Sequence, residues 1–453
     1  MNFVDKLRVG NMKKRILLVA MVLFALLPAF SFSGYTVNTT SSYQGHPLNF
    51  QDFPEAFDPD TSVMAWNLDI IDIDQFTYEY PEINGEGVYV AVLDTGLVAN
   101  WRDYFPEERI KTEWGRGFVD KGVMSAIKSG KYTPNVVESR NFLADHPHGT
   151  HVTSTIIGYS FSGTPVLGVA PMATIIPVKV LETYQGIDEN FGTNYAIAAG
   201  IDYVTDLAIA NPGSRFIISM SLGSLSPIDD VEKTAVDRAI ANGVVVVAAA
   251  GNYGTAGMDS PGSYAPIISV GASGWASYTD KYGYNGEWLI DGYASGSWWW
   301  QDVPEDNANV TYVGDFSGRE NPALGWDQEL DILAPGTWVV GPYPVGVGMS
   351  HLPWWANGWG NGLDGGNYYF VGGTSMATPH VSGVVALMLQ LNPTLTPGEV
   401  EAILKDTADP IPFAGGQYVY DPNIGFMYIT WGYDGLDAVG SGLLQADAAI
   451  LAV

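Results

Sequence analysis

Cysteine is absent from the 453 residues, so no disulfide can staple the fold, and thiols report nothing about redox compartment. Basic residues are sparse: 20 Lys and Arg stand against 49 Asp and Glu, a formal charge of −29. A chain this acidic lacks the positive footprint that phosphate binding needs, and no nucleic-acid partner is expected. It also lacks an apolar run long enough for a membrane span. Residues 16–27 form an uninterrupted apolar stretch of 12 residues, against about 20 for a spanning helix. There is no internal repeat.

What is present starts with that stretch. Lys13-Lys14-Arg15 precede it, and Pro28 and the small residues up to Gly34 follow. This is the layout of a secretory signal, taken as residues 1–33. A secreted protein with no stable membrane span is expected. Attachment to the cell surface through an uncleaved N-terminal helix is the alternative. Removing the signal, with its net +4, takes the chain from −29 to −33. Excess carboxylate favours solubility and offers oxygen ligands for Ca²⁺. Residues 34–60 are polar and read as a short extension or pro-segment, leaving 61–453 as one domain.

Within 61–453, residues 88–93 are continuously apolar and β-branched, as in a strand buried on both faces. Residues 174–180, 216–220, 244–249 and 267–270 repeat that texture. Helical patterns lie between them. Ser226-Pro227-Ile228-Asp229 reads as N-cap, first-turn proline and first-turn acid, and Asn242-Gly243 as the stop. Thr396-Pro397-Gly398-Glu399 repeats the start signal. Alternating strands and helices predict an α/β fold, three-layer α/β/α with a mostly parallel central sheet. Two Trp-, Tyr- and Gly-rich stretches, about 275–313 and 341–369, break the rhythm and read as surface insertions. Their aromatics either pack onto the body or line a groove.

Four stretches carry chemistry. Gly373-Thr374-Ser375-Met376 runs into an apolar helix, which puts Ser375 at or near the first turn. Free N–H groups and the helix dipole there favour negative charge, so Ser375 is a cap or a nucleophile. Asp94-Thr95-Gly96 follows the first buried strand, where α/β sheets bind ligands, although a turn-forming acid is the plainer reading. His148-Gly149-Thr150-His151-Val152 supplies a candidate general base in His148. His146, His148 and His151 have no zinc-type spacing. Asn252 ends an apolar run as a turn residue or as an amide donor to an oxyanion.

Together, Asp94-Thr95-Gly96, His148-Gly149-Thr150-His151-Val152, Ala250-Gly251-Asn252 and Gly373-Thr374-Ser375-Met376-Ala377-Thr378-Pro379-His380 resemble the signature motifs of the subtilisin-like serine proteases. The resemblance extends over about 66–452. It implies a serine endopeptidase acting on polypeptide substrates, with no organic cofactor. Ser375 would be the nucleophile, His148 its base and Asp94 the group orienting the imidazole. Asn252 would serve the oxyanion hole. Ser221, Leu222 and Gly223 would pair with substrate backbone. Ala249, Ala250 and Gly251 would form the other wall of the specificity pocket.

Further expectations follow from the resemblance. Counting back from residues 267–271 puts Asp259 near the pocket floor, where it would favour a basic substrate residue; the alternative is that it turns outward or binds water. Asp103 stands where the family often has a calcium ligand, yet Ser162-Gly163-Thr164 replaces the Asn-rich loop that completes such a site. About 30 residues separate the signal from the domain, fewer than a family propeptide of about 80. Residues 440–449 match the usual end of the catalytic domain, and no further domain is expected. The chain is expected to act as a monomer. An inactive relative that binds peptides in the same groove is the rival reading, and the four intact residues argue against it.

Overall fold

The computed structural model describes residues 65–161, 163–183, 190–275, 311–344, 356–357, 367–421, 425–432 and 437–453. The signal, the extension, Ser162 and nearly all of both aromatic insertions lie outside the described residues.

A nine-stranded sheet forms the middle layer. Its strands are β1 (Val88–Asp94), β2 (Arg116–Asp120), β3 (Val136–Ser139), β4 (Thr174–Lys179), β5 (Arg215–Met220), β6 (Val245–Ala249), β7 (Ile268–Trp275), β8 (Thr311–Val313) and β9 (Ile332–Pro335). The order is β8-β7-β6-β5-β1-β4-β2-β3, with β9 also paired to β7. Pairing is parallel except for β7 with β8 and β2 with β3. The predicted apolar runs become β1, β4, β5, β6 and β7.

Helices cover both faces, which explains why these strands are apolar throughout rather than alternating. Alternate residues point to opposite sides of a strand. Val90 and Val92 join one core with Val247 and Val270, beneath α1 (His148–Ile157) and α4 (Thr374–Leu391). Ala91 and Leu93 join the other with Ile218 and Val246, beneath α2 (Asn194–Ala210) and α3 (Asp230–Ala241). Each fully buried Val, Leu or Ile contributes about 1.5–3 kcal/mol. Helix α4 is buried along almost its whole length and packs across β1, β5, β6, β7 and β9.

Local signals mostly hold. Thr396 caps α5 (Pro397–Thr407) in a capping box with Glu399, and Gly243 takes a left-handed φ of 77° just after α3. One start is corrected: α3 is capped by Asp229, whose side chain accepts from Val231 N, whereas the Ser226 hydroxyl pairs with Ser224. The insertions leave the body from antiparallel pairs. Trp275 lies opposite Thr311, and Pro342 opposite Tyr368.

Candidate active site

Strands β5, β1 and β6 are parallel, so their carboxyl ends lie along one edge of the sheet, where α/β folds bind ligands. Asp94 closes β1 with its side chain buried. Thr95 N donates to Asp94 Oδ1 at 2.6 Å, and the Thr95 hydroxyl accepts from Gly149 N at 3.0 Å and donates to His146 O at 3.1 Å. This ties the turn after β1 to the first turn of α1. The approach needs glycine at two positions. Gly96 has φ +85°, and a Cβ there would lie 2.0 Å from Phe142 O. A Cβ on Gly149 would lie 2.5 Å from Gly96 O and 3.0 Å from Asp94 Oδ1.

The result is that His148 Nδ1 sits 2.9 Å from each Asp94 carboxylate oxygen. Burial lowers the imidazole's proton affinity, and the charge and hydrogen bonds of Asp94 outweigh that, leaving its pKa raised. The contact fixes the proton on Nδ1 and leaves Nε2 as the acceptor.

The neighbouring histidines are of another kind. His151 Nε2 faces Val339 O at 3.1 Å, and burial pushes its pKa down to about 3. His146 falls to about 3 through burial and the charge of His148. His380 Nδ1 faces Met376 O at 2.8 Å and its Nε2 faces Asn67 Nδ2 at 2.8 Å, with burial pushing its pKa to about 4. These rings remain neutral and serve packing.

Ser375 lies in the first turn of α4 and is nearly enclosed. Its hydroxyl donates to Ser221 O at 3.3 Å, while the Ser221 hydroxyl donates to Ser375 O at 2.7 Å. Helix α4 is thereby clamped to the end of β5. Asn252 follows β6, and its Oδ1 accepts from Thr374 N at 2.9 Å and Thr374 Oγ1 at 3.0 Å. Thr374 Oγ1 also accepts from Gly251 N at 3.2 Å. With Oδ1 committed to two donors, the Asn252 NH₂ group is turned away from Thr374. Thr95 and Thr374 are positioning residues that the sequence reading passed over. Their partners lie 54 and 122 residues away, so only adjacency to Asp94 and Ser375 could have flagged them.

The two stretches expected to wall the pocket follow neighbouring parallel strands. Ser221, Leu222 and Gly223 continue β5, while Ala249 ends β6 and Ala250 and Gly251 follow it. Residues 259–260 bridge them: Asp259 N donates to Ala250 O at 2.8 Å, and Ser260 and Ser224 exchange two backbone bonds of 2.9 Å. Asp259 is buried, so it does not turn outward. Asp103 is exposed, and its Oδ2 accepts from Asn100 Nδ2 at 2.9 Å. An acidic group that could hold a metal ion lies elsewhere, at Glu329, Asp331 and Glu401. Lys405 Nζ reaches all three, at 2.8, 2.7 and 3.4 Å, and so supplies a cation there already.

A three-layer α/β/α body with a serine, an aspartate-held histidine and an oriented amide along one sheet edge belongs to a known class of hydrolase, the serine endopeptidases. The chain is a member of the subtilase family, whose family model, described as "Subtilase family", matches residues 85–429. It is 30% identical over 328 residues to subtilisin DY of Bacillus licheniformis, covering 72% of this chain and 84% of that one. It is 30% identical over 367 residues to subtilisin BL of Lederbergia lenta, covering 81% and 92%. Among solved structures, sphericase aligns with a TM-score of 0.52 and 26% identity, over 80% of this chain and 92% of that one. No helix among the described residues is long and apolar enough to cross a membrane.

Proposed function

We propose that this endopeptidase works through Ser375, His148 and Asp94, with an acyl-enzyme intermediate and an oxyanion hole completed by Asn252. The observation that carries the reading is the 2.9 Å contact of His148 Nδ1 with both Asp94 oxygens. It leaves Nε2 as the base, on the sheet edge that also carries Ser375. For attack, the Ser375 hydroxyl turns from Ser221 O to His148 Nε2, which takes its proton as Oγ adds to the scissile carbonyl. The oxyanion is met by the Asn252 NH₂ and by the Ser375 N–H in the first turn of α4. Protonated His148 then gives its proton to the leaving amine. Water repeats the cycle on the acyl-enzyme. Substrate backbone adds as a strand along Ser221, Leu222 and Gly223.

A fluorophosphonate probe tests this reading. Wild type should label and hydrolyse casein, and Ser375→Ala should do neither. Wild type that neither labels nor hydrolyses rejects it.

The reading places the enzyme outside the cell, released from residues 1–33 and acting as a monomer. Residues 34–60 are then a short extension and 61–453 the catalytic domain. Calcium belongs to it as a structural ion at Asp103. The described surroundings of Asp103 fit a full cage poorly, because its Oδ2 is met by the Asn100 NH₂, a donor and not an oxygen ligand, whereas calcium takes six to eight oxygens. A calcium ion there would have to draw most of its ligands from backbone carbonyls and water.

A further inference from the structure

The feature that the mechanism leaves unused is Asp259. It is only 5% exposed, and its Oδ1 is buried without a hydrogen-bond partner. Its carboxyl group lies between the two walls beside Ser375. A Cβ on Gly251 would fall 2.4 Å from Asp259 Cγ and 2.6 Å from its Oδ2. A Cβ on Gly223 would fall 2.7 Å from Asp259 Cβ and 3.4 Å from Oδ2. Both walls therefore lack a side chain where the carboxyl group sits, and any larger residue on either would collide with it. Backbone bonds from Asp259 N to Ala250 O and from Ser263 N to Asp259 O fix this floor under the walls.

A buried carboxyl group without partners is costly. Asp94 and Asp331 are satisfied within the chain, Asp94 by His148 and Thr95 N and Asp331 by Lys405 and Ser269, whereas Glu232 Oε1 on α3 is likewise buried without a partner. Two kinds of substrate side chain could meet Asp259. A neutral substrate side chain would cover it and leave Oδ1 unbonded. A Lys ammonium or Arg guanidinium reaching between Gly223 and Gly251 would supply both the charge and the donors, and a guanidinium can do so with two parallel bonds.

We propose that Asp259 makes this enzyme select Lys or Arg as the residue whose carbonyl Ser375 attacks. The inference rests on the Ser375 mechanism above, because that mechanism puts the preceding side chain between these walls. Neither wall offers an ionisable group to Asp259: Gly223 and Gly251 carry none, and the nearby Tyr264 hydroxyl is turned to Asp237 at 2.8 Å.

The test is kcat/KM on a series of peptide substrates differing only in Arg, Lys, Leu or Phe before the cleaved bond. Enzyme concentration is set by fluorophosphonate titration, so that only folded, reactive sites count. Wild type should cleave the Arg and Lys substrates at least about tenfold better than Phe. Asp259→Asn should lower the Arg-to-Phe ratio by about 100-fold, through loss of the basic substrates rather than loss of titratable sites. A wild type that labels but prefers Phe or Leu overturns this inference alone. An Asp259→Asn enzyme that keeps the wild-type ratio also overturns it. Wild type that neither labels nor cleaves overturns the mechanism and this selectivity together. The wild-type series decides the matter even where the variant does not fold.

Discussion

Asp331 and Asp259 are both buried aspartates, yet their surroundings differ in kind. Asp331 Oδ2 accepts from Ser269 N at 2.8 Å and Ser269 Oγ at 2.9 Å, and its Oδ1 accepts from Lys405 at 2.7 Å. Burial raises its pKa, and Lys405 and Ser269 pull against that rise. Asp259 has burial alone acting on it, and its pKa is pushed up to about 8. One carboxylate is completed by the chain itself and belongs to the structure. The other lies between Gly223 and Gly251 with its Oδ1 unpartnered, where the proposal has a substrate's charge complete it. Exposure alone does not separate the two; hydrogen-bond partners do.

The proposed reaction centre is held much as Asp331 is, His148 by Asp94, Asn252 Oδ1 by Thr374 and Ser375 by Ser221. Breaking that arrangement should give the largest losses. Ser375→Ala should lower kcat by about 10⁶, a size known for subtilisin itself rather than derived from this geometry. Asn252→Ala should cost about 10²–10³ in kcat with little change in KM, again the subtilisin magnitude. Steady-state kinetics on one good substrate check both. An Asn252→Ala enzyme with unchanged kcat would remove the amide from the oxyanion hole.

Converting the completed carboxylate into an open one should act on stability instead. Lys405→Met leaves Glu329, Asp331 and Glu401 without their cation and should cost about 2–3 kcal/mol near neutral pH. Asp331 and Glu401 have raised pKa values, so lowering the pH protonates them and relieves their repulsion, and the gap to wild type in thermal melts should narrow on the acid side. An unchanged melting curve at pH 7 would mean that solvent already screens this group.

The smallest expected effect is a displacement of the acid limb of activity. His148 must be neutral to accept the Ser375 proton, and its pKa is raised by Asp94 against the effect of burial. The kcat/KM profile should therefore lose activity with a midpoint above the ordinary histidine value of about 6.5. The stability linkage runs the other way. A raised pKa contributes stability that is fully present below the unfolded value and is lost as pH rises through the folded one.

Much of this could be read from the chain alone, for physical reasons. Strands β1, β4, β5 and β6 are buried on both faces, so their sequences are unbroken apolar runs. Strand β7 continues five residues beyond its apolar run, through Gly271 and Gly274, because Leu333 and Tyr312 pack onto those glycines from distant segments. Strands β2 and β3 left no such signal, since β3 is an exposed edge with Glu138 and Ser139 on it. At α3 the expected cap lies three residues too early, because the Ser226 hydroxyl pairs with Ser224 and Asp229, read as a first-turn acid, takes the cap. Asp94, His148, Asn252 and Ser375, the proposed centre, stand out in the sequence because each sits in a short motif. Thr374 as the holder of Asn252, and the absence of any partner for Asp259 Oδ1, depend on contacts that exist only in the folded chain.

The central claim is that the held centre and the open carboxylate work together. The most direct test is the wild-type ratio of kcat/KM for matched Arg and Phe substrates, followed from pH 6 to 9.5. His148 acts on both substrates alike and cancels, so the ratio reports Asp259 in the free enzyme. The account predicts a ratio favouring Arg that rises with pH through about 8, as the Asp259 carboxyl group ionises. A ratio that stays flat, or that favours Phe across the range, would contradict it.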